Sequence, residues 1–477
     1  MAIRFYNTLT RSLDEFVPIE PGHVRMYACG PTVYQPPHIG NYRTFLFNDL
    51  VHRYLEWRGY RVRFVMNLTD VDDKTIAGAR EQGISLEEFT APVIRSFFRD
   101  LETLGVKPAD AYPRATRHVG QMIELISRLL ERGHAYTTDD GSVYFDITSF
   151  PEYGKLSRVD LSATRKGERV AADEYEKGDI RDFALWKAAR DADREVGAVW
   201  PTPWGEGRPG WHIECSAMSI AELGETFDLH TGGEDLIFPH HEDEIAQSEG
   251  ATGKPFVNYW LHVKHLLVDG AKMSKSKGNV YTLRDLTEKG YTAAAIRYLL
   301  LSAHYRHELN FTFDGLQNAQ SAIRRALDFQ DRVENTPTAE HAPETRLPEL
   351  AQNALHDFQA ALDEDLNMPE ALAAFFTYIR EANALLDQHT AIRPAEQRAA
   401  LDAVERIDRV LGVLKLARAE ARPDEELVRW VESRLAERQR ARARRDFETA
   451  DAIRDELAAR GITVEDTPHG PRWKTTT

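Results

Sequence analysis

The first hundred residues alternate between two hydrophobic periods. Val24-Arg25-Met26-Tyr27-Ala28-Cys29 reads as a strand, stopped by Gly30-Pro31. Residues 41–58 then carry Phe45, Leu46, Leu50, Tyr54 and Leu55 at helical spacing, with Gly59 as the stop. Arg61-Val62-Arg63-Phe64-Val65-Met66 returns to strand-like alternation. Strand, helix and strand at this spacing predict a βαβ unit, the seed of a parallel sheet. Ser85-Leu86-Glu87-Glu88 is a capping box that opens another helix.

The pattern changes near residue 116. Asp139-Asp140-Gly141 between Tyr136 and Val143 predicts a hairpin. Arg158 to Arg194 is polar, charged and loop-rich, so 116–207 reads as an insertion between two halves of a sheet domain. Residues 208–270 regain α/β character. From about 315 the chain is helical, with patterning over Ala319–Phe329, Leu355–Leu362 and Pro369–Leu386 and an exposed loop at 333–347. Arg422-Pro423-Asp424 starts a last unit whose final helix ends at Gly461. No internal repeat or extended low-complexity tract occurs.

A length of 477 residues fits about three domains. Hydrophobic residues make up 42%, enough for several cores, yet no stretch approaches the roughly 20 apolar residues of a membrane span. The N-terminus has no signal-peptide apolar region, and a soluble cytoplasmic protein is expected. A net charge of −16 excludes a general nucleic-acid-coating protein but permits local basic patches. Two cysteines, Cys29 and Cys215, exclude a disulfide framework and fit a reducing compartment.

Two stretches carry phosphate chemistry. Pro36-Pro37-His38-Ile39-Gly40-Asn41 opens the first predicted helix, where backbone N–H groups and the helix dipole favour anions. Gly40 lets a nucleotide approach the backbone, and His38 can donate to a phosphate oxygen. Lys272-Met273-Ser274-Lys275-Ser276 places two lysines in a polar loop ahead of Gly278-Asn279. Such ammonium groups can neutralise charge on departing pyrophosphate. The bland alternative is a solvated basic loop. A third element, His230-Thr231-Gly232-Gly233-Glu234-Asp235, is a Gly-rich turn in which Asp235 can accept hydrogen bonds from a nucleoside.

A metal constellation accompanies them. In Phe238-Pro239-His240-His241-Glu242-Asp243-Glu244, Pro239 suits a helix start and puts His240 and Glu244 at i and i+4, on one helical face. Cys215, and Cys29 at the end of the first strand, would complete two thiolates, an imidazole and a carboxylate, a donor set for zinc. His241 or Glu242 could replace a neighbour. Otherwise both cysteines are core residues and the His-His-Glu run is solvated.

The first two stretches resemble the HIGH and KMSKS signatures of class I aminoacyl-tRNA synthetases, in which a Gly-rich turn lies under the adenosine. Tyr27 to Tyr34, Gly210 to Met218 and Phe238 to Glu242 narrow the resemblance to the cysteinyl-tRNA synthetases. That resemblance implies a zinc ion in the amino-acid pocket on Cys29, Cys215, His240 and Glu244. It implies Thr69 near the substrate amino group and Trp211 as pocket wall. It implies ATP, with Mg²⁺, at Pro37, His38, Gly40, Asn41, Gly232, Gly233, Asp235 and Lys275, and catalysis by His38, Asn41, Lys272 and Lys275. Zinc would take a cysteine thiolate and reject a serine hydroxyl, so no editing domain is expected.

The C-terminal end extends the resemblance over nearly the whole chain. Arg438 to Arg445 puts five arginines into eight residues, a phosphate-attracting patch unless Glu437–Arg440 and Arg444–Glu448 pair along a solvated helix face. Phe447 and Trp473 could stack on unpaired bases. By match to the family's anticodon-binding unit, Arg442, Phe447, Asp451 and Asp466 would read or stack the anticodon bases of a tRNA for cysteine, anticodon GCA. The implied fold is a Rossmann-like parallel-sheet catalytic domain split by an insertion, then a helical bundle and a small mixed C-terminal domain. Its expected boundaries are 1–115 and 208–270 for the catalytic halves and 116–207 for the insertion. Residues 271–314 hold the lysine loop and stem contacts, 315–420 the bundle, and 421–477 the anticodon-binding domain. A monomer would be usual for the family. Rival readings are a ligase joining cysteine to an amino sugar, which lacks a long RNA-binding end, and a non-enzymatic RNA-binding protein. Some family members also make cysteine persulfide with pyridoxal phosphate on lysines like Lys74 or Lys272.

Overall fold

The computed structural model describes residues 2–159, 182–274, 277–421, 425–467 and 470–475. The chain divides into two compact units, Met1–Leu414 and Lys415–Thr477. The first is organised by a four-stranded parallel sheet in the order Val257–Val263, Phe227–Gly233, His23–Ala28, Arg61–Met66. The helix Ile39–Trp57 makes the crossover between the last two, as the βαβ pattern predicts. It buries Phe45, Leu46, Leu50, Tyr54 and Leu55. The two strands from beyond residue 220 add on the other side of His23–Ala28, so the sheet changes direction there. Ligands of open α/β sheets bind at such a switch, beyond the carboxyl ends of the strands. Cys29, Thr69 and Gly233 all lie at those ends.

The insertion is a second sheet. Five antiparallel strands run in the order Ala135–Thr137, Val143–Phe145, Phe183–Ala188, Gly205–Pro209, Trp200–Thr202. The hairpin at Asp139-Asp140-Gly141 forms. The loop-rich reading of Arg158 to Arg194 needs correcting, because Phe183–Ala188 is the sheet's central strand and is almost wholly buried. An ionic cluster ties this sheet to the helix Asp73–Gln82: Asp73 pairs with Lys187 at 3.0 Å and with Arg208, and Arg208 reaches Asp193 at 3.0 Å.

Beyond the main sheet, Ala271–Lys272, Leu266–Val268 and Leu309–Phe311 make a small three-stranded sheet under the lysine loop. Four long helices follow, Phe313–Asn335, Leu347–Asp363, Met368–Leu386 and Pro394–Leu411. The fully buried Arg297 joins them to the nucleotide-side helix. It bonds Asp49 of Ile39–Trp57 at 2.5 Å, the Leu104 carbonyl at 3.2 Å and the Leu411 carbonyl at 2.6 Å. The second unit packs helices Glu425–Ala443 and Phe447–Ala459 with the hairpin Ile462–Thr467/Gly470–Thr475 around Val431, Leu435, Ile453, Leu457 and Ile462. Among the described residues no helix is long and apolar enough to cross a membrane.

Candidate functional site

Three chain segments bring the metal candidates together. Cys29 ends the central strand, Cys215 lies in the helix Trp211–Leu223, and His240 and Glu244 flank the start of the helix Glu242–Thr252. All four are buried, and their donor atoms lie within 4.8 Å of one another. The Cys29 and Cys215 sulfurs are 3.8 Å apart, Cys29 Sγ is 3.6 Å from Glu244 Oε1, and His240 Nε2 is 3.0 Å from that oxygen. Two thiolates at about 2.3 Å from a tetrahedral zinc stand about 3.8 Å apart, so the pair is spaced for that ion.

A second grouping shares Cys29 and Glu244 and adds His230 and His241. His230 Nε2 is 2.9 Å from Glu244 Oε2, so the carboxylate is held through both oxygens. His241 Nε2 lies 3.4 Å from Cys29 Sγ, and its Nδ1 meets His262 at 2.8 Å; His262 continues to the Thr8 hydroxyl at 2.7 Å. His212 Nδ1 contacts His240 at 2.9 Å. Sequence reasoning considered His241 only as a substitute ligand and missed His212, His230 and His262 here. Their partners lie on other segments. The available signal was the position of His230 and His262 near the carboxyl ends of parallel strands.

These contacts set the protonation of the cluster. Burial works against the Glu244 charge, but His230 and His240 hold its carboxyl down at about 2. Burial likewise opposes His240, yet Glu244 and Cys215 raise its imidazole to about 10. The hydrogen bond from Cys29 lowers Cys215 to about 6, while burial pushes the Cys29 thiol well up. Burial, reinforced by neighbouring imidazoles, keeps His212, His241 and His262 low and neutral. A dication entering such a cluster exchanges for its protons.

The amino-acid side of the pocket is stitched to this cluster. Trp211 stacks on the His240 ring at 4.2 Å and remains 37% exposed. Thr69, buried, follows Asn67, whose Oδ1 accepts from the Gly30 N–H at 2.8 Å and whose Nδ2 donates to Thr69 Oγ1 at 3.2 Å. A Cβ on Gly30 would lie 1.8 Å from the Asn67 carbonyl oxygen, so only glycine lets the two strand ends come this close.

The phosphate side is open. His38 caps the helix Ile39–Trp57 in a capping box with Asn41. Its Nδ1 accepts from the Asn41 N–H at 3.3 Å, which leaves the proton on Nε2, and Asn41 Oδ1 accepts from the His38 N–H, which leaves the amide Nδ2 free to donate outward. Burial lowers the His38 pKa, with Asp235 opposing, so the ring is a neutral donor. The lysine segment crosses this cap: Ile39 N–H bonds Tyr281 O at 2.9 Å, and His38 bridges to Thr282. A Cβ on Gly40 would stand 2.5 Å from the end of Met273. Asn279 braces the loop, accepting from Ser274 N–H at 2.9 Å, and Lys272 is exposed beside it. Lys275 lies outside the described residues. Gly232 and Gly233 end their strand, and exposed Asp235 follows in a short turn; the expected six-residue Gly-rich turn is strand through Gly233.

In the second unit Arg442, Phe447 and Asp451 are exposed, Phe447 at 62%. For Asp466 only the backbone, in the strand Ile462–Thr467, is described. Neither expected ion pair of the arginine run forms: Glu437 pairs with Arg434 at 2.6 Å, and Arg440 and Arg444 turn to helix carbonyls. Trp473, expected with Phe447 to stack on bases, is partly buried and packs against the core of this unit.

Comparison with known proteins covers the whole chain. Residues 15–321 match the family model of the class I (C) tRNA synthetase catalytic domain, 357–415 the DALR domain, and 424–473 the cysteinyl-tRNA ligase anticodon binding domain. The cysteine--tRNA ligase of Chlamydia muridarum is 47% identical over 481 residues, 99% of this chain and 100% of that protein. That of Solibacter usitatus is 49% identical over 475 residues, again 99% and 100%. Among solved structures, Mycobacterium tuberculosis methionyl-tRNA synthetase with methionyl-adenylate shares the fold. It has a TM-score of 0.60 at 16% identity, over 82% of this chain and 90% of that one.

Proposed function

This chain belongs to the cysteine--tRNA ligase family of class I aminoacyl-tRNA synthetases, and from that premise we infer how its residues divide the reaction. The enzyme activates L-cysteine with ATP to cysteinyl-adenylate and transfers cysteine to the 3′-terminal ribose of its tRNA, releasing pyrophosphate and AMP. The 2′-hydroxyl is the acceptor that class I membership implies. The roles of single residues are our proposal.

Cys29, Cys215, His240 and Glu244 would hold a zinc ion. When bound, zinc supplies a soft Lewis acid that takes the substrate thiol as a thiolate and discriminates against a serine hydroxyl. His230 fixes the second oxygen of Glu244, so the carboxylate cannot rotate away from the centre. Cys29, His240 and Glu244 are preferred to the set with His230 and His241 because Cys215 then contributes a second thiolate. His241 also faces a second partner, His262. Trp211 forms the wall, and Thr69 meets the amino group.

The substrate carboxylate then attacks the α-phosphate of ATP in line. His38 Nε2–H and Asn41 Nδ2 donate to phosphate oxygens at the positive end of their helix. Lys272 and Lys275 neutralise charge on the leaving pyrophosphate, which departs with its Mg²⁺. Gly232 and Gly233, against which His241 and Asp235 pack, border the adenosine, and Asp235 binds the nucleoside. Positioning and charge stabilisation carry the rate, with no general base. Arg442, Phe447, Asp451 and Asp466 receive the anticodon.

The observation that carries the metal assignment is the 3.8 Å separation of two buried sulfurs beside an imidazole and a carboxylate. The matches at 357–415 and 424–473 leave the amino-sugar ligase without support. Cysteine-dependent pyrophosphate exchange together with cysteine charging of a transcript bearing a GCA anticodon tests the reading. Exchange without charging would overturn tRNA as acceptor; neither activity in zinc-loaded protein would overturn the enzyme. A monomer working in the cytoplasm is part of the proposal, and sedimentation tests the former.

A further inference from the structure

Two strand ends meet where the pocket passes from its thiol side to its amino side, and one side chain spans them. Asn67 is 1% exposed. Its Oδ1 accepts from the Gly30 N–H at 2.8 Å, and its Nδ2 donates to the Thr69 hydroxyl oxygen at 3.2 Å. A carboxamide is planar, with acceptor and donor at fixed positions, so each of these bonds fixes the orientation of the other. Exchanging the two ends would set an amide N–H against the Gly30 N–H, which assigns the orientation. The joint is tight as well, since a Cβ on Gly30 would lie 1.8 Å from the Asn67 carbonyl oxygen.

The Thr69 backbone is held separately. Its N–H donates to the Pro31 carbonyl at 3.1 Å, and its carbonyl accepts from the Val33 N–H at 3.0 Å. The Asn67 side chain is therefore not needed to place that backbone. What it adds is the direction of the hydroxyl: threonine has three staggered χ1 wells, and the bond from Nδ2 selects one.

Thiol and amino group are two carbons apart in cysteine and three in homocysteine. The two ligands carry the same thiol, ammonium and carboxylate, so a pocket that recognised each group separately would accept both. Rejecting the longer one requires a fixed distance between the thiol seat and the amino seat. Cys29 belongs to the first seat and Thr69 to the second, and Asn67 bonds the residue next to Cys29 to the Thr69 hydroxyl. We propose that Asn67 is a positioning residue that sets this span, so that the pocket selects a two-carbon separation of thiol and ammonium and rejects homocysteine. This rests on the cysteine-activating reading above.

Binding of L-cysteine and L-homocysteine to zinc-loaded wild type, Asn67→Ala and Asn67→Asp is measured by calorimetry, with zinc content as a control. Wild type is expected to prefer cysteine by about 10- to 200-fold, the scale of one methylene in a fitted pocket. In Asn67→Ala the hydroxyl can turn to its other wells, and the preference is expected to fall about tenfold. Asn67→Asp keeps an acceptor for the Gly30 N–H and holds the Thr69 oxygen by accepting its proton. Its added charge acts on the ammonium of both ligands alike, and the preference is expected to stay within about threefold of wild type. If Asn67→Ala does not fold, Asn67→Ser, whose side chain is too short to span both partners, takes its place. An unchanged preference in the shortened variant, equal weakening of both ligands, or as large a fall in Asn67→Asp would overturn the proposal. A wild type that binds both ligands equally would overturn the span alone. Failure of zinc-loaded wild type to bind cysteine would overturn the underlying reading and this one with it.

Discussion

The two ends of the catalytic pocket are built on opposite plans. At the thiol end every metal-candidate side chain is buried and held by at least one neighbour: Glu244 by His230 and His240, His241 by His262, Cys29 by Cys215. At the phosphate end Asn41 and Lys272 are exposed and His38 is half-buried, all on a braced backbone. His38 and Asn41 use their inward atoms on each other and leave Nε2–H and Nδ2 pointing out, and Lys272 is exposed. The difference follows from what each end must do. Choosing cysteine over serine requires donors fixed in advance, because the discrimination is between ligand atoms at one metal. Stabilising pyrophosphate requires charge that can follow a moving group. A fixed centre fails as a unit when one member is lost, whereas a mobile one loses rate and keeps its ground state.

The largest expected effect tests the fixed end. Cys215→Ser removes one of two thiolates, and the zinc content measured by metal analysis is expected to fall well below one ion per chain. Cysteine-dependent pyrophosphate exchange should fall roughly 1,000-fold or more, the several kcal/mol that a Lewis acid supplies. Full zinc retention would remove Cys215 from the centre. At the other end, Lys272→Ala is expected to lower the exchange rate constant by about 100- to 1,000-fold. Zinc content and the calorimetric affinity for cysteine should stay unchanged. If cysteine binding fell as well, the two ends would not be separable in this way.

The sequence displayed these two plans unequally. The βαβ unit was legible because both of its faces repeat with regular periods, and the capping box at Ser85 formed with Glu88 as read. The strand Phe183–Ala188 was hidden, because a polar stretch precedes it and it contains Lys187. That lysine is buried with Asp73, far away in sequence, as an ion-pair partner. In the pocket, the residues brought together from Cys29, Cys215, His240 and Glu244 were named in advance because two of them share a helix face and the cysteines are rare. The surrounding histidines were not. A histidine's partner decides its role, and the partners of His212, His230 and His262 lie 28, 14 and 21 residues away or farther.

The open phosphate end still depends on a buried support. Arg297 ties Asp49, in the His38-capped helix, to the carbonyls of Leu104 and Leu411. Burial raises the cost of the Asp49 charge, but Arg297 and Arg53 hold its pKa below the usual value. Arg297→Met removes one of the two guanidinium partners of that carboxylate and leaves the buried carbonyls unpaired, and chemical denaturation is expected to show a loss of about 3–5 kcal/mol. A loss below about 1 kcal/mol, the range of exposed ion pairs, would mean that the helix is held by its apolar face alone.

The smallest effect extends the comparison to the second unit. Phe447 is a large aromatic side chain left 62% exposed at the start of its helix, while Trp473, the other aromatic expected to meet RNA, supports the core. A ring left this exposed offers a face on which an unpaired base can stack. Phe447→Ala is therefore expected to raise the KM for tRNA in the charging assay by the equivalent of about 1–3 kcal/mol. Pyrophosphate exchange, which needs no tRNA, should be unchanged, and so should the melting temperature. Trp473→Ala should reverse that pattern, lowering the melting temperature of this unit before it alters the KM. If both variants changed stability and neither changed the KM, the exposed ring at Phe447 would be a packing residue and base stacking would have to be assigned elsewhere on this face.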